Sequence, residues 1–410
     1  MTMLDTDFVR AQFPAFAEAS LQGQAFYENA GGSYTCRQVI ERLLRFYTQR
    51  KVQPYGAYAA SQLGGAEMDE ARARLAALMG VDTDEVSFGP STTANTYVLA
   101  QAFGQMLRAG DAIIVTDQDH EANTGPWRRL AERGISVRDW QVDPVTGHLD
   151  PAKLWALVDG RVKLVCFPHA SNVVGEINPV ATLCADLRAA GIFTCVDGVS
   201  YAPHGLPDVG ALGADIYLFS SYKTYGPHQG IMVLRRDLGV RLPNQAHYFN
   251  ADVLHKRLTP AGPDHAQIAA CAGMADYFEA LHDHHFGPAP DLAPKARMGR
   301  VHDLMRAQET ALLAPLLDFL RGRNDVRMLG PDRAADRAPT IALAHDRPGF
   351  ALAQDLAVQG IMAGGGSFYA NRALQAQGID PAHGVLRVSF LHYTSKSELD
   401  RLITALDRVL

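Results

Sequence analysis

The chain has 410 residues, 47% of them hydrophobic and 20% charged, with a formal net charge of −6. That length accommodates two domains, or one large and one small, and the balance is that of a soluble globular protein. The mild acidity gives no basic footprint for nucleic acid or an anionic membrane, and no apolar stretch approaches a membrane span.

The first residues carry Asp5, Asp7 and Arg10 and lack the basic-then-apolar order of a signal peptide, so a cytoplasmic protein is the expectation. The five cysteines, Cys36, Cys166, Cys184, Cys195 and Cys271, are scattered without a Cys-x-x-Cys pair and signal neither a zinc site nor a disulfide frame. Cys166 and Cys195 sit inside strand-like runs and read as small buried hydrophobes.

An N-terminal arm over residues 1–30 leads into Phe26-Tyr27-Glu28-Asn29-Ala30-Gly31-Gly32-Ser33, whose glycine pair reads as a turn with close backbone approach. Helical spacing follows over 39–47, then a polar Gly/Ala/Tyr-rich loop over 53–65, then a helix over 67–79 ended by Gly80. After a short strand at 86–88, Gly89-Pro90-Ser91-Thr92-Thr93-Ala94-Asn95 opens a helix that runs to Leu107. Hydroxyl side chains and free N–H groups at a helix start suit a phosphate; taken alone, the stretch reads as a plain N-cap.

Strands and helices then alternate. Strands are expected at 112–116, 135–140, 162–167, 192–196 and 216–220, and helices at 124–133, 151–158, 179–190 and 208–212. The alternation predicts an α/β fold with a mainly parallel sheet covered on both faces, whose ligands sit beyond the carboxyl ends of the strands. Asp119-His120, His169 to Asn172, Asp197 and Lys223 each follow such an end, so they converge on one edge. Further on, 262–280 reads as a helix, and His282, His284 and His285 read as its solvated end rather than a metal site. A long helix over 296–321 and alternating pieces at 340–344, 350–359, 385–390 and 397–410 form a smaller α/β domain. The large domain is expected over 31–285 and the small one over 286–410, joined by part of the N-terminal segment.

Lys223 lies between two apolar runs, Asp215 to Phe219 and Gly230 to Leu234. Taken alone, it is a surface turn lysine. Held at a buried strand end, it loses solvation of its charged form and becomes the nucleophilic amine that imine formation needs. Asp197, one step past a strand, can pair with a heterocyclic N–H⁺. Ser91, Thr92 and Thr93 can hold a phosphate, and His120 can stack on a flat ring. Together these are the parts of a pyridoxal phosphate site.

The set resembles the class V aminotransferases of PLP-dependent fold type I, nearest the cysteine desulfurase and selenocysteine lyase group. The likeness rests on Asp117 to Trp127, with the ring-stacking His120; on His169-Ala-Ser-Asn172-Val-Val-Gly175 to Pro179; on Val196-Asp197-Gly198; on Ser220-Ser221-Tyr222-Lys223-Thr-Tyr-Gly226-Pro227; and on Val385-Leu386-Arg387-Val388-Ser389. The resemblance implies a seven-stranded-type, mainly parallel sheet and a homodimer with the site near the interface. It implies Lys223 as Schiff-base lysine and general base, Asp197 on the ring nitrogen, and Asn172 and Ser200 on the ring oxygen. Ser91, Thr92, Thr93, Ser220 and Tyr222 would hold the phosphate, and Arg387 and Asn29 the substrate.

The departures bear on the reaction. The stretch that carries a persulfide-forming Cys in desulfurases reads here Gly360-Ile361-Met362-Ala363-Gly364-Gly365-Gly366-Ser367, and serine forms no persulfide. Its consecutive glycines predict a flexible, pocket-lining loop, as does the 53–65 segment. Tyr222 replaces a His, Ser200 replaces a Gln, and Pro263 falls where a partner's Thr commonly reaches the phosphate. The expected activity is β-elimination on a small α-amino acid, of the C–S lyase type without a persulfide relay. Transamination with a 2-oxo acid and cofactor binding without turnover are the alternatives.

Overall fold

Seven strands form the central sheet of the computed structural model, which describes residues 3–410. In spatial order they are Val86–Gly89, Gly230–Leu234, Ile216–Ser220, Phe193–Asp197, Val162–Pro168, Ala112–Thr116 and Ser136–Trp140. Only Gly230–Leu234 opposes the rest; it is antiparallel to both neighbours, while the other pairings are parallel. The continuous apolar runs Ala112–Thr116 and Ile216–Ser220 are buried at every position, as strands covered on both faces must be. Because the remaining strands share one direction, Gly89, Thr116, Pro168, Asp197 and Ser220 all end on the same edge.

A second, four-stranded antiparallel sheet joins Gly364–Gly366, Val385–Ser389, Thr340–Ala344 and Arg327–Met328 in that order. The helices Pro294–Arg321, Gly349–Val358 and Lys396–Val409 supply its apolar cover, with Leu313, Leu316, Leu352, Leu356, Leu402 and Leu406 in one buried cluster. The N-terminal arm belongs with this sheet. Ala25–Phe26 pairs in parallel with Ile361–Met362, and Glu28 bridges Ser389.

Three sequence expectations are corrected here. Part of the loop expected over 53–65 is helix, which runs Ala59–Met79. Gly64 and Gly65 are buried, and a Cβ on Gly65 would lie 2.6 Å from the Tyr55 ring, so these glycines permit close packing rather than freedom. The glycines at 364–366 form no flexible loop either. They are an edge strand, with Gly364 opposite Arg387, Gly365 opposite Leu386 and Gly366 opposite Val385. A Cβ on Gly365 would collide with the backbone of Gly349, so the strand can approach the helix only without side chains. The histidine run does close the helix Ala272–Phe286, with Asp283 and His284 exposed, but it is not solvated throughout. His282 is fully buried, His284 stacks on Phe8 at 3.7 Å and hydrogen-bonds Asp5 at 2.9 Å, and the Asp5 N–H donates to His285 Nε2 at 2.8 Å. These contacts fasten the N-terminal arm.

Element boundaries differ elsewhere in small ways. The segment 124–133 divides into a short helix Gly125–Arg128 and a 3-10 turn Arg129–Arg133, and the 262–280 helix breaks at Cys271 into His265–Ala270 and Ala272–Phe286.

Candidate active site

The strands Ile216–Ser220 and Gly230–Leu234 pair with Ser220 opposite Gly230, and a 3-10 turn, Ser221–Lys223, lies in the connection between them. The turn brings Lys223 inside, where it is 8% exposed. Burial, then the positive charge of Arg387, lowers its pKa from 10.5 to about 8, against the opposing charges of Asp197 and Glu28.

Asp197 ends its strand with 4% exposure and accepts a hydrogen bond from the Val199 N–H at 2.8 Å. Burial pushes its pKa up to about 6, although the Val199 N–H and Lys223 favour the carboxylate. Asp119 is raised well above the usual carboxylate range by burial and by the charge of Asp197. It accepts from the Asn123 side chain at 2.7 Å. Burial, then Lys223 and Arg387, lowers the His120 pKa to about 3, so its ring is neutral. His120 Nδ1 accepts from the Ala122 N–H at 3.0 Å, which fixes the ring at the start of its turn.

Ser91 caps the helix Thr92–Met106, its Oγ accepting from the Ala94 N–H at 3.1 Å, and Thr92 Oγ1 lies 2.8 Å from Ser220 Oγ. This helix start lies hard against Gly230, where a Cβ would collide with the backbone of Ser91 and Thr92. Asn172, 5% exposed, donates through Nδ2 to the Phe368 carbonyl at 2.9 Å.

These groups surround one cavity of about 200 Å³. All ten residues expected to hold the cofactor line it: Ser91, Thr92, Thr93, His120, Asn172, Asp197, Ser200, Ser220, Tyr222 and Lys223. The donor set fits pyridoxal phosphate. A helix N-terminus with hydroxyls stands at one place, and a buried amine and a buried carboxyl at others. Asn172 Oδ1 is buried with no hydrogen-bond partner among the described residues, as an atom awaiting a ligand would be.

The expected substrate residues are placed differently. Asn29 does not line the cavity. Its Nδ2 donates to the carbonyls of Phe26 and Ser389, at 3.2 and 3.1 Å, and its Oδ1 accepts from the Tyr393 hydroxyl. Asn29 therefore ties the N-terminal turn to the second sheet, with both Nδ2 hydrogens engaged. Arg387 is 3% exposed and makes an ion pair with Glu28, Nη2 to Oε1 2.6 Å, and donates from Nη1 to the Asn172 carbonyl at 3.1 Å. The Phe368 ring covers the guanidinium at 3.8 Å.

Neither glycine-rich segment lines the cofactor cavity as expected. Gln53 and Tyr55 instead border a neighbouring cavity of about 330 Å³ with Phe88, Phe249 and Pro263. Past Gly366, Tyr369 borders an outer cleft with His120 and Tyr222. Phe368 and Tyr369 both have φ of +53°, the left-handed region that side chains seldom adopt. Asp119, read from the sequence only as part of the Asp119-His120 cluster and given no role of its own, lines the cavity. Glu28, Phe368 and His228 escaped the sequence reading as site residues; His228, whose ring stacks on Tyr222 at 4.7 Å, follows Lys223 too closely to be remote from it.

Fold and site together define a pyridoxal phosphate-dependent protein of fold type I. The profile of the family described as aminotransferase class-V matches residues 25–250. The chain is 31% identical to "Aminotransferase-like protein FGM3" of Gibberella zeae, over 98% of both chains, and 30% identical to a cysteine desulfurase of Serratia proteamaculans, over 98% of this chain and 97% of that one. A solved cysteine desulfurase from Thermococcus onnurineus shares the fold, with a TM-score of 0.84 at 23% identity over 100% of this chain and 98% of that one. The chain belongs to the class-V aminotransferase family, within its cysteine desulfurase-like part, and is a pyridoxal phosphate-dependent enzyme.

Proposed function

We propose that the enzyme catalyses β-elimination on a small α-amino acid, of the C–S lyase type, without passing sulfur to a cysteine of its own. The observation that supports this is the placement of the cysteines. All five are buried, and none borders the cavity around Lys223. The segment where a sulfur-carrying thiol would stand has Ser367 after its glycine strand.

Bound pyridoxal phosphate supplies an aldehyde and an electron-withdrawing ring. In this reading Lys223 would hold the cofactor through its aldehyde, and its amine would take the α-proton of the substrate. A pKa lowered to about 8 gives it a minor neutral fraction near pH 7 that an ordinary lysine lacks. Asp197 would pair with the ring N–H⁺, and the neutral His120 ring would stack on the cofactor. Asn172 and Ser200 orient the ring oxygen. Ser91, Thr92, Thr93, Ser220 and Tyr222 hold the phosphate, where the helix N-terminus favours negative charge. The β-substituent then leaves with its bonding electrons.

Transamination with a 2-oxo acid is the second reading, favoured by the name of the Gibberella zeae relative. Supplying cysteine and measuring sulfide, pyruvate and alanine separates them. Sulfide with pyruvate is expected. Sulfide with alanine would mark desulfuration, and amino transfer to a 2-oxo acid without sulfide would mark a transaminase.

We also propose a homodimer. Ile40, Leu44 and Tyr47 on the helix Arg37–Gln49, with Tyr55, Tyr58 and Leu63 after it, are exposed apolar side chains that a second copy of the chain would cover. No helix among the described residues is long and apolar enough to cross a membrane; a cytoplasmic location remains part of this proposal.

A further inference from the structure

The residue facing Arg387 across the second sheet is Gly364. Over it lies the carboxylate of Glu28, brought there by the bridge between Glu28 and Ser389. The carboxylate occupies a niche that two glycines clear. A Cβ on Gly364 would collide with Glu28 Oε2, and one on Gly31 would stand 2.8 Å from Glu28 Oε1. Backbone is thus shaped around this one side chain, which the 2.6 Å contact fixes on Arg387. The bond is charge-assisted, and it balances the guanidinium charge on the spot. Nη1 is also held by the Asn172 carbonyl and Phe368 covers one face, so both terminal nitrogens are already engaged, while Arg387 Nε and Glu28 Oε2 have no partner among the described residues.

We propose that Glu28 is a specificity-determining residue that neutralises Arg387 and makes the enzyme favour, over the free α-amino acid it also takes, derivatives whose carboxyl group carries no charge, as in an amide or an ester; this rests on the pyridoxal phosphate reading of the site. A free α-carboxylate entering beside Arg387 meets a guanidinium whose charge is already balanced, next to a carboxylate of its own sign. It would have to displace Glu28 from its niche or lie against it unpaired. An uncharged carbonyl needs only a hydrogen-bond donor and escapes the repulsion. Specificity then comes from a repulsive element as much as from an attractive one. The glycines of 364–366 acquire a role in the same step. The strand is bare at Gly364 because the Glu28 carboxylate occupies the place of a side chain.

The test compares L-alanine with L-alaninamide, which lack a β-leaving group and so report binding without elimination. Both are titrated into the holoenzyme by calorimetry and by the change in cofactor absorbance, for wild type, Glu28→Gln and Glu28→Asp. Wild type is expected to bind the amide at least tenfold more tightly than the acid. Glu28→Gln removes the counter-charge and should shift the acid-to-amide ratio of Kd by at least tenfold toward the acid. Glu28→Asp, whose shorter chain withdraws the carboxylate, should shift it in the same direction by less. Each Kd is expressed per neutral amine, which removes the difference in amine basicity between the ligands. A wild-type preference for alanine by tenfold or more, or a ratio that Glu28→Gln leaves unchanged, overturns the proposal; the wild-type measurement stands even where a variant does not fold. Failure of the cofactor reading shows separately, as a visible absorbance that Lys223→Ala does not remove.

Discussion

Replacing Lys223 by Met should make the cofactor-free protein more stable at neutral pH. A lysine with a pKa of 10.5 unfolded and about 8 folded is held in its charged form at a cost below pH 8. Between the two values the unfolded chain binds more protons than the folded one, so stability rises with pH across that window. Below pH 8 the penalty is complete and above about 10.5 it has gone. A shift of about 2.5 units corresponds to ~3 kcal/mol, since each unit is worth about 1.4 kcal/mol. Met fills a similar volume with no charge to desolvate and removes that penalty. The assay is denaturant unfolding of both apoproteins at pH 7 and pH 10. The variant should gain up to about 3 kcal/mol at pH 7 and under about 1 kcal/mol at pH 10, by the same linkage. A variant no more stable than wild type at pH 7, or a gain that grows with pH, would refute the argument that Lys223 is a strained, buried amine.

Asp197→Asn keeps the size of a 4% exposed side chain and removes its charge. Loss of a buried charged hydrogen bond costs about 1.5–3 kcal/mol, so cofactor affinity, read by equilibrium titration, should fall roughly 10- to 150-fold. Gly230→Ala places a methyl group against the backbone of Ser91 and Thr92, where nothing flexible can yield. Overpacking of about 1–3 kcal/mol is expected there, with a phosphate site loosened while the far ends of the strands stay intact; dialysis of the variant should release the cofactor faster than from wild type.

The strand-end residues were legible because a parallel sheet converts sequence order into position. Once Asp197, Lys223 and Asn172 were each placed just past an apolar run, their convergence followed from shared strand direction, and the cavity joins them. The ion pair between Glu28 and Arg387 was not legible. It links residues 359 positions apart through a second sheet whose register no local pattern declares. Glycine misled in two places for one reason. At 64–65 and 364–366 glycine was read as freedom of the chain, whereas each tract lies in regular structure, and at Gly65, Gly364 and Gly365 a side chain would strike a neighbour. His284 and His285 misled in part because their partners, Phe8 and Asp5, come from the opposite end of the chain.

The cofactor groups come from the large sheet and Arg387 from the second, so the site requires the two to be held in fixed relation. Tyr225, two residues past Lys223, is placed to do this. Its N–H donates to Ser33 Oγ at 2.8 Å, its hydroxyl donates to the Pro203 carbonyl and lies 3.4 Å from His392 Nδ1, and its φ is +65°. His392 in turn lies 2.5 Å from the Tyr277 hydroxyl, so the Lys223 turn, the helix Ala272–Phe286 and the segment after Val385–Ser389 meet in one buried network. Tyr225→Phe strips the Pro203 carbonyl of a donor in a fully buried position. That should destabilise the protein by about 1–3 kcal/mol. The backbone bond to Ser33 and the aromatic packing against Phe13 and Tyr277 remain, so the turn should keep its course and Lys223 its place. Lower stability with cofactor absorbance retained is the expected result, from thermal unfolding and a spectrum of the same sample. A folded variant that no longer takes up cofactor would mean that the hydroxyl itself, rather than the backbone path around it, sets the position of the lysine.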